Sequence, residues 1–383
     1  ARSAWQPLGG SADGDWGYAP LINVSVKPSA LFSQTDPKDF EGSVQGILSR
    51  LMPIYKRVIE LSGFMCIDME AYHYKNITLE VYRRLRSHKD FKDYPGLRLA
   101  LQSYLRDTDQ DLRELLGWAR SNNLPISIRL VKGAYWDYET VIARQNGWEI
   151  PVYTIKAESD AAFERHTRMI MENHDTCSYA CGSHNIRSVA AAMEIAREIG
   201  VPEDRYEFQV LYGMAEPVRK GLLNVAKRVR LYAPYGDLLP GMAYLVRRLL
   251  ENTANESFLR QTFVEEAEID ALVENPLITL EKEQKPTAVD KSQESPQPFD
   301  NEAMADFTKE AVRTNFETVL EEVKQKLGKT YPLNIGGTDV TTEDTLESVN
   351  PAEPMQIVGT ICQAGTAEVD RAIQAAKDAT ASW

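Results

Sequence analysis

One stretch near the middle of the chain joins an apolar run to residues that could do chemistry. Residues 126–133 are predicted to form a buried strand, and polar and aromatic residues continue from it to Asp137. Arg129 lies inside this run. Its guanidinium group is planar and always charged, so it could face a polar ligand, or it could form a salt bridge inside the core.

A second stretch, residues 244–252, has the pattern of a helix with a polar face. Tyr244, Arg247, Arg248 and Glu251 follow at i, i+3, i+4 and i+7, and these spacings share one side of a helix. Two adjacent guanidinium groups can hold a carboxylate through paired hydrogen bonds. A solvated polar stripe is the alternative, but it fits less well because other residues already provide an apolar face for the core. Those residues are Leu245, Val246, Leu249 and Leu250.

Short apolar runs alternate with helix-periodic stretches up to residue 235. This alternation predicts a parallel sheet covered by helices. The predicted strands are residues 21–27, 65–70, 97–104, 126–133, 179–184, 206–213 and 228–235. The predicted helices include residues 43–62, 109–121, 160–173 and 188–199, with Asp109 and Ser188 as N-caps and Gly200 after the last helix.

A closed (β/α)8 barrel of the TIM type and an open doubly wound sheet both fit this alternation. The barrel is favoured because no G-x-G-x-x-G fingerprint of dinucleotide binding follows the first strand. It is also favoured because polar residues stand near the carboxyl ends of most strands, where barrel active sites collect their residues. They are Lys27, Asp68, Gln102, Tyr104, Arg129, His184, Gln209 and Tyr232. Seven units are visible where a barrel needs eight, so the first unit is expected upstream of residue 1.

The composition argues against several classes of protein. The 383 residues, 43% hydrophobic and 26% charged, are ordinary for one or two globular domains. A net charge of −13 argues against a nucleic-acid-binding surface. There is no apolar run of about 18 residues, as a membrane span would need, and no signal-peptide core. Four cysteines fit a reducing cytosol. Because the chain lacks an initiator methionine and stops inside a predicted helix, we expect a segment of a longer polypeptide.

The string Arg-Leu-Val-Lys-Gly-Ala-Tyr-Trp at 129–136 and the helix at 244–252 resemble the FAD-binding barrel of proline dehydrogenase. More narrowly, they resemble the bifunctional bacterial family called proline utilization A. The resemblance implies oxidation of L-proline to Δ1-pyrroline-5-carboxylate by an FAD enzyme that passes electrons to a membrane quinone. It also implies a cytoplasmic protein, or one peripheral at the inner membrane face.

The resemblance further implies roles for single residues. Arg247 and Arg248, with Lys27 as a third cation, correspond to residues that bind the proline carboxylate, and Asp68 corresponds to a residue that supports the polar network. Residues that correspond to positions around the substrate ring are Leu130, Tyr104, Tyr135, Tyr232 and Tyr244. Residues that correspond to cofactor contacts are Gln102, Arg129, Val131, Gly133, Trp136, Thr154, Lys156, His184, Asn185, Gln209 and Glu251.

The composition changes after residue 275. Residues 281–301 are rich in Lys, Glu, Gln, Ser and Pro, with almost no large apolar residues. They predict a linker, 276–303, between a barrel, 1–275, and a final part, 304–383. That part is predicted to hold a helix at 304–327, extended segments around Gly336-Gly337 and a helix after Thr366. Residues 348–383 resemble the opening of an aldehyde dehydrogenase domain. We therefore expect a small α+β fragment, truncated before that domain's nucleotide site and nucleophile and without aldehyde dehydrogenase activity.

Two other functional classes stay open at this point. One is a Schiff-base aldolase on the same barrel, with Lys27 or Lys132 as the nucleophile. The other is a catalytically silent fragment that only folds or assembles. Cys177, Cys181 and His184 have a spacing that suggests metal ligands, but no fourth ligand is evident nearby, so no metal site is predicted. Cys362 is predicted to be a packed strand residue.

Overall fold

The computed structural model describes residues 22–253, 273–283, 299, 301–380 and 382. The chain divides into two compact units, Ala1–Thr308 and Lys309–Trp383. Within the described ranges, no helix combines the length and the apolar character that crossing a bilayer requires.

The first unit contains one parallel sheet whose seven strands are ordered as in the sequence. The strands are β1 (Asn23–Val26), β2 (Phe64–Ile67), β3 (Leu97–Gln102), β4 (Ile126–Val131), β5 (Cys177–Gly182), β6 (Tyr206–Leu211) and β7 (Val229–Tyr232). The α/β class and all seven predicted strands are confirmed. Each strand ends before the predicted boundary. Of the polar residues predicted near the carboxyl ends, four lie just beyond the strands, Lys27, Asp68, Tyr104 and His184, and four lie within them, Gln102, Arg129, Gln209 and Tyr232. Among the described strands, β1 and β7 stand at the two ends of the sheet.

Helices lie between successive strands, as connections between parallel strands require, and in the described part of this unit two further helices follow the last strand. They are α1 (Pro28–Leu31), α2 (Phe40–Glu60), α3 (Lys75–Ser87), α4 (Thr108–Ser121), α5 (Trp136–Asn146), α6 (Lys156–Met171), α7 (Ile186–Ile199), α8 (Glu216–Val225), α9 (Leu238–Thr253) and α10 (Pro276–Glu283). The helices predicted at 43–62, 109–121, 160–173 and 188–199 are confirmed as α2, α4, α6 and α7.

Two of the predicted helix caps are wrong. The side-chain oxygen of Asn185 accepts a hydrogen bond from the Ser188 amide at 3.0 Å, so Asn185 and not Ser188 caps α7. Asp109 lies inside α4, and Asp107 occupies the N-cap position. Gly200 is confirmed: it ends α7 with φ +78°, a conformation that costs little without a Cβ atom.

The main core lies between the sheet and its helices. Fully buried side chains such as Leu51, Ile128 and Phe163 belong to one continuous apolar cluster. Side chains alternate between the two faces of a strand. The residues between the core-facing ones, Arg129 and Val131 on β4 for example, therefore face the other side of the sheet, where the cavity described below is found.

Helix α9 differs from its prediction on one face. Leu245, Val246 and Leu249 were expected to be buried, but they are 38%, 45% and 65% exposed. The side chain of Leu250 lies outside what the structure describes. The polar face of α9, in contrast, lines the cavity. The prediction of a buried apolar face is therefore wrong for the three described side chains.

Residues 301–308, the last of the first unit, contact earlier parts of the same unit. The Trp148 indole donates to the Met304 carbonyl at 2.6 Å, and the Asn76 amide donates to the Thr308 carbonyl at 3.0 Å. The helix predicted at 304–327 is shorter than expected, since α11 spans Glu310–Lys324. The predicted linker begins with helix α10 and includes residues outside the described ranges. The domain limits at 275 and 303 stay a prediction.

The second unit combines strands and helices. It contains α11, β8 (Lys329–Tyr331), β9 (Leu333–Ile335), β10 (Thr338–Val340), β11 (Thr345–Asn350), β12 (Glu353–Cys362) and α12 (Thr366–Ala379). Gly336 and Gly337 connect the β9–β10 hairpin with φ of +59° and +80°, the left-handed values that such a turn needs. Cys362 is a buried residue at the end of β12, which confirms the prediction of a packed strand residue.

Candidate active site

A cavity of about 870 Å³ lies at the carboxyl ends of the seven parallel strands. This volume is near the upper end of the range for small-molecule and cofactor sites. Most of the predicted site residues line it, although they are spread over more than 200 positions of the sequence. They are Lys27, Asp68, Gln102, Tyr104, Arg129, Val131, Gly133, Tyr135, Trp136, Thr154, Lys156, His184, Asn185, Gln209, Tyr232, Tyr244, Arg247 and Arg248.

Two predicted site residues are not placed in the cavity wall. Leu130 is completely buried in the apolar core cluster. Its neighbours Arg129 and Val131 line the cavity, and successive side chains of a strand point to opposite faces, so Leu130 faces the helices. The structure therefore places Leu130 in the core and not in the cavity wall, and its contact with the substrate stays a prediction. Glu251 belongs to α9, but its side chain lies outside what the structure describes.

Asp68 is the centre of a buried charged network. Its carboxylate pairs with the Arg129 guanidinium, accepts a hydrogen bond from the Tyr232 hydroxyl at 3.1 Å and lies 3.5 Å from the Lys27 ammonium. Burial would raise the pKa of Asp68, but the charges of Arg129 and Lys27 outweigh it and hold the pKa below its ordinary value. Arg129 also donates to the Ser25 hydroxyl at 3.1 Å. Arg129 thus forms the predicted core salt bridge and lines the cavity as well.

The two arginines of α9 lie against aromatic rings of the cavity wall. The Arg247 guanidinium is 5.2 Å from the centre of the Tyr135 ring, and that of Arg248 is 5.0 Å from the centre of the Tyr244 ring. Each guanidinium group therefore lies within cation–π distance of an aromatic ring of the cavity wall. Tyr244 in turn stacks on Tyr232, with ring centres 6.4 Å apart.

His184 lies in the same wall and is held in its neutral form. Burial, with the nearby charge of Arg248, lowers the pKa of His184 to about 4. Its Nε2 atom accepts a hydrogen bond from the Leu211 amide at 2.9 Å. A neutral imidazole adds no further positive charge to a wall that already carries several cations.

Small residues keep the strand faces beneath the cavity open. Gly133 has φ +144°, and a Cβ atom built there would lie 2.4 Å from the Tyr104 ring. A Cβ atom on Gly182 would lie 2.8 Å from a methyl group of Val131. Ala100 lines the same wall. Gly133 therefore allows a close approach of two loops that no other residue allows, and the neighbouring small side chains leave room for a flat ligand.

One side of the cavity is positively charged. The ammonium groups of Lys132 and Lys156 both pair with the Asp160 carboxylate, the second at 3.1 Å. Two cations share one anion, which leaves an excess positive charge next to Thr154. Elsewhere in the wall, the side-chain oxygen of Gln102 is buried without a hydrogen-bond partner among the described residues. A buried polar atom of this kind calls for a ligand or a water molecule.

Sequence reasoning missed several residues of this site. Asp160 follows Lys156 at i+4 on a helix, a spacing that could have indicated the pair. Ser25 belongs to β1 and precedes the strand-end residue Lys27 by two positions, a spacing that in extended backbone places side chains on the same side. Ala100 and Gly182 carry no polar group, and only the packing distances around them identify them.

The sequence pattern of Cys177, Cys181 and His184 does not form a cluster. Cys177 and Cys181 are buried in the apolar core, whereas His184 lines the cavity and accepts a backbone hydrogen bond. Within the part of the chain that the structure describes, no three His, Cys, Asp or Glu side chains are grouped as a metal ion would need.

Comparisons with known proteins agree with this geometry. Residues 3–261 match the family model described as proline dehydrogenase. The chain is 29% identical to the bifunctional protein PutA of Klebsiella aerogenes over 392 aligned positions, which cover 98% of this chain and 30% of that protein. It is 31% identical to the proline dehydrogenase of Deinococcus radiodurans, over 64% of this chain and 70% of that protein.

A solved structure is also similar. The crystal structure of proline utilization A from Bdellovibrio bacteriovorus inactivated by N-propargylglycine matches with a TM-score of 0.88 and 41% identity. The match covers 96% of this chain and 38% of that one. The chain thus spans about three tenths of the length of the curated PutA relatives it matches. The family match over most of the first unit shows that the chain belongs to the proline dehydrogenase family.

Proposed function

We propose that this cavity oxidises L-proline to Δ1-pyrroline-5-carboxylate, with FAD as its cofactor and a membrane quinone as the electron acceptor. The observation that carries the proposal is one continuous chain of contacts. It runs from Arg248 through the stacked rings of Tyr244 and Tyr232 to Asp68 and Lys27. This chain joins the arginines of α9 to the strand-end lysine across a single cavity, in a member of the proline dehydrogenase family.

The substrate carboxylate is assigned to the cations. Arg247, Arg248 and Lys27 all line the cavity, and a guanidinium group can bind a carboxylate through two parallel hydrogen bonds. The rings of Tyr232 and Tyr244 supply an apolar surface for the carbon atoms of the substrate ring. The same cations disfavour an additional positive charge nearby, so they lower the pKa of a bound secondary ammonium and favour the neutral amine.

The residues present fit a flavin. The open floor at Ala100 and Gly182 suits a flat ring system, and the buried Gln102 oxygen can accept a hydrogen bond from a ring N–H group. Lys132 and Lys156, near Thr154, suit a pyrophosphate. When bound, FAD accepts a hydride from the carbon beside the substrate nitrogen. Other residues assigned to it are Arg129, Val131, Gly133, Trp136, His184, Asn185, Gln209 and Glu251.

We further propose that the sheet is part of a (β/α)8 barrel and that the second unit corresponds to the opening of an aldehyde dehydrogenase domain. The sequential order of the parallel strands and the position of the cavity at their carboxyl ends support the barrel. The name of the PutA relatives, bifunctional, supports the second assignment. The number of barrel units and the absence of aldehyde dehydrogenase activity stay predictions.

The test is to incubate the purified chain with FAD without oxygen and to add L-proline. We expect the absorption of oxidised flavin to be lost with L-proline and to persist with pyrrolidine, which has the ring but no carboxylate. A chain that binds no flavin, or a bound flavin that L-proline does not reduce, would contradict the proposal. Borohydride trapping of a carbonyl substrate on Lys27 or Lys132 would support the aldolase instead.

A further inference from the structure

The turn that follows Lys27 has a backbone N–H donor for which the turn itself provides no acceptor. Lys27 occupies the N-cap position of α1, where its side chain makes no capping hydrogen bond. The first amide groups of a helix have no partner within the helix. Pro28 has no N–H group, so the first such donor is the amide of Ser29. This turn therefore needs an acceptor from elsewhere in the fold.

Glu70 supplies that acceptor with both of its carboxylate oxygens. One oxygen accepts from the Ser29 amide at 2.9 Å, and the other accepts from the Ser29 hydroxyl at 2.6 Å. Glu70 is 8% exposed, so solvent does not compete strongly for these bonds. Hydrogen bonds to a charged acceptor are stronger than those between neutral groups.

The loop after β2 holds the chain on both sides of Lys27. Before Lys27, the Val26 carbonyl accepts a hydrogen bond from the Asp68 amide at 2.9 Å. After it, Ser29 is bound by Glu70, which lies two residues beyond Asp68. The backbone of residues 26–29 is thus fixed at two points by the three residues Asp68 to Glu70.

Lys27 depends on this backbone restraint because its side chain is weakly held. That side chain is 36% exposed, and its ammonium group is 3.5 Å from Asp68, a long distance for a hydrogen bond. A long side chain with this freedom loses entropy when a ligand orders it. A fixed starting direction reduces the number of positions that the ammonium group can take.

We propose that Glu70 is a positioning residue for Lys27. By clamping Ser29 it directs the Lys27 ammonium into the cavity, and it thereby raises the affinity for a carboxylate ligand without touching that ligand, since Glu70 does not belong to the cavity wall. This inference rests on the proposed role of Lys27 in binding the substrate carboxylate.

The first experiment compares two ligands by calorimetric titration of the purified chain. Cyclopentanecarboxylate has the ring and the carboxylate, whereas pyrrolidine has the ring and no carboxylate. We expect Glu70→Ala to weaken cyclopentanecarboxylate by about tenfold, as the loss of one or two charge-assisted hydrogen bonds implies. Ser29→Ala keeps the hydrogen bond from the Ser29 amide to Glu70, so it should weaken cyclopentanecarboxylate binding by only about two- to threefold. Glu70→Gln keeps one acceptor oxygen, and its effect on this affinity should lie between those of the other two variants. Pyrrolidine binding should not change.

The decisive experiment repeats the cyclopentanecarboxylate titration in a Lys27→Met background. If Glu70 acts through Lys27, Glu70→Ala has no further effect on affinity once the ammonium group is gone. An equal loss with and without Lys27 would show that Glu70 only supports the fold, and would overturn the inference. If Glu70→Ala does not fold, Ser29→Ala in the same two backgrounds answers the question.

The same cycle separates this inference from the proposed function. If Lys27→Met alone leaves the affinity for cyclopentanecarboxylate unchanged, Lys27 does not bind the carboxylate. In that case both the assigned role of Lys27 and the inference about Glu70 are wrong. If Lys27→Met weakens binding and the Glu70→Ala effect is independent of it, only the inference fails.

Discussion

Replacement of Arg129 by methionine should expose the energetic role of the buried pair with Asp68. Arg129 and Asp68 are 8% and 5% exposed, and each is the other's closest charged partner. Methionine has a similar length and no charge, so Arg129→Met removes the pair with little change in volume. Asp68 then keeps the Tyr232 hydroxyl at 3.1 Å and the Lys27 ammonium at 3.5 Å.

The cost follows from what remains around the carboxylate. Removal of one partner from a buried ion pair costs about 3–5 kcal/mol, because the other charge stays buried without compensation. Since Lys27 and Tyr232 still contact Asp68, we expect the lower end, about 3 kcal/mol. In a domain of this size each kcal/mol shifts the melting temperature by about 2–4 °C, so the variant should melt roughly 6–12 °C lower.

The loss should also depend on pH. The pKa of Asp68 is below its ordinary value in the folded protein, so the pair stabilises the fold at a pH above the pKa of an unfolded aspartate. This contribution is lost as the pH falls through the folded pKa. The difference between wild type and Arg129→Met should therefore be largest near pH 7 and should shrink in acid, where Asp68 becomes protonated in both proteins.

Urea unfolding from about pH 2 to pH 8 measures this difference, with Asp68→Asn and the double variant completing the cycle. We expect the double variant to lose less stability than the sum of the single variants. Additive losses, or a difference that does not change with pH, would refute the reasoning.

In the protein with bound flavin, Arg129→Met should change the flavin spectrum more than the affinity for a proline analogue. A variant with the wild-type spectrum and reduction behaviour would contradict the assigned cofactor contact.

Three further predictions concern other parts of the site. Arg248→Met should weaken cyclopentanecarboxylate by about tenfold to a hundredfold in calorimetric titration and leave pyrrolidine unchanged; equal losses would mean that α9 only shapes the cavity. Gly133→Ala should cost about 2 kcal/mol or more of unfolding free energy, because φ is +144° and the new Cβ atom would overlap the Tyr104 ring, whereas Gly200→Ala, left-handed with nothing within 4 Å, should cost about 1 kcal/mol. Burial raises the pKa of Glu139 to about 7, so the wild-type fold loses stability as the pH rises from the unfolded value through 7; Glu139→Gln should be more stable than wild type by about 1–2 kcal/mol at pH 8 and no more stable at pH 4, and a constant difference in urea unfolding would contradict this.

The sequence alone determined the architecture of the first unit and most of the cavity wall. Apolar runs separated by helix-periodic stretches are a local property, and they located all seven strands. Because parallel strands place their carboxyl ends at one edge, the positions of Lys27 and Tyr232 at the ends of two predicted strands were enough to assign these distant residues to one site. Gly200 and the Gly336-Gly337 turn were predictable for the same reason, since the need for a left-handed backbone is also local.

Only the tertiary structure decided which partners these residues have. Leu130 lies between two cavity residues, Arg129 and Val131. Because side chains alternate along the strand, its own side chain points into the core. The apolar residues Leu245, Val246 and Leu249 of α9 look like core residues, yet burial depends on what packs against them. The hydrogen bonds of Glu70 to Ser29 join residues 41 positions apart. Such contacts depend on how strands and loops come together in space. A local sequence pattern contains no information about the spatial distance between residues that are far apart in the sequence.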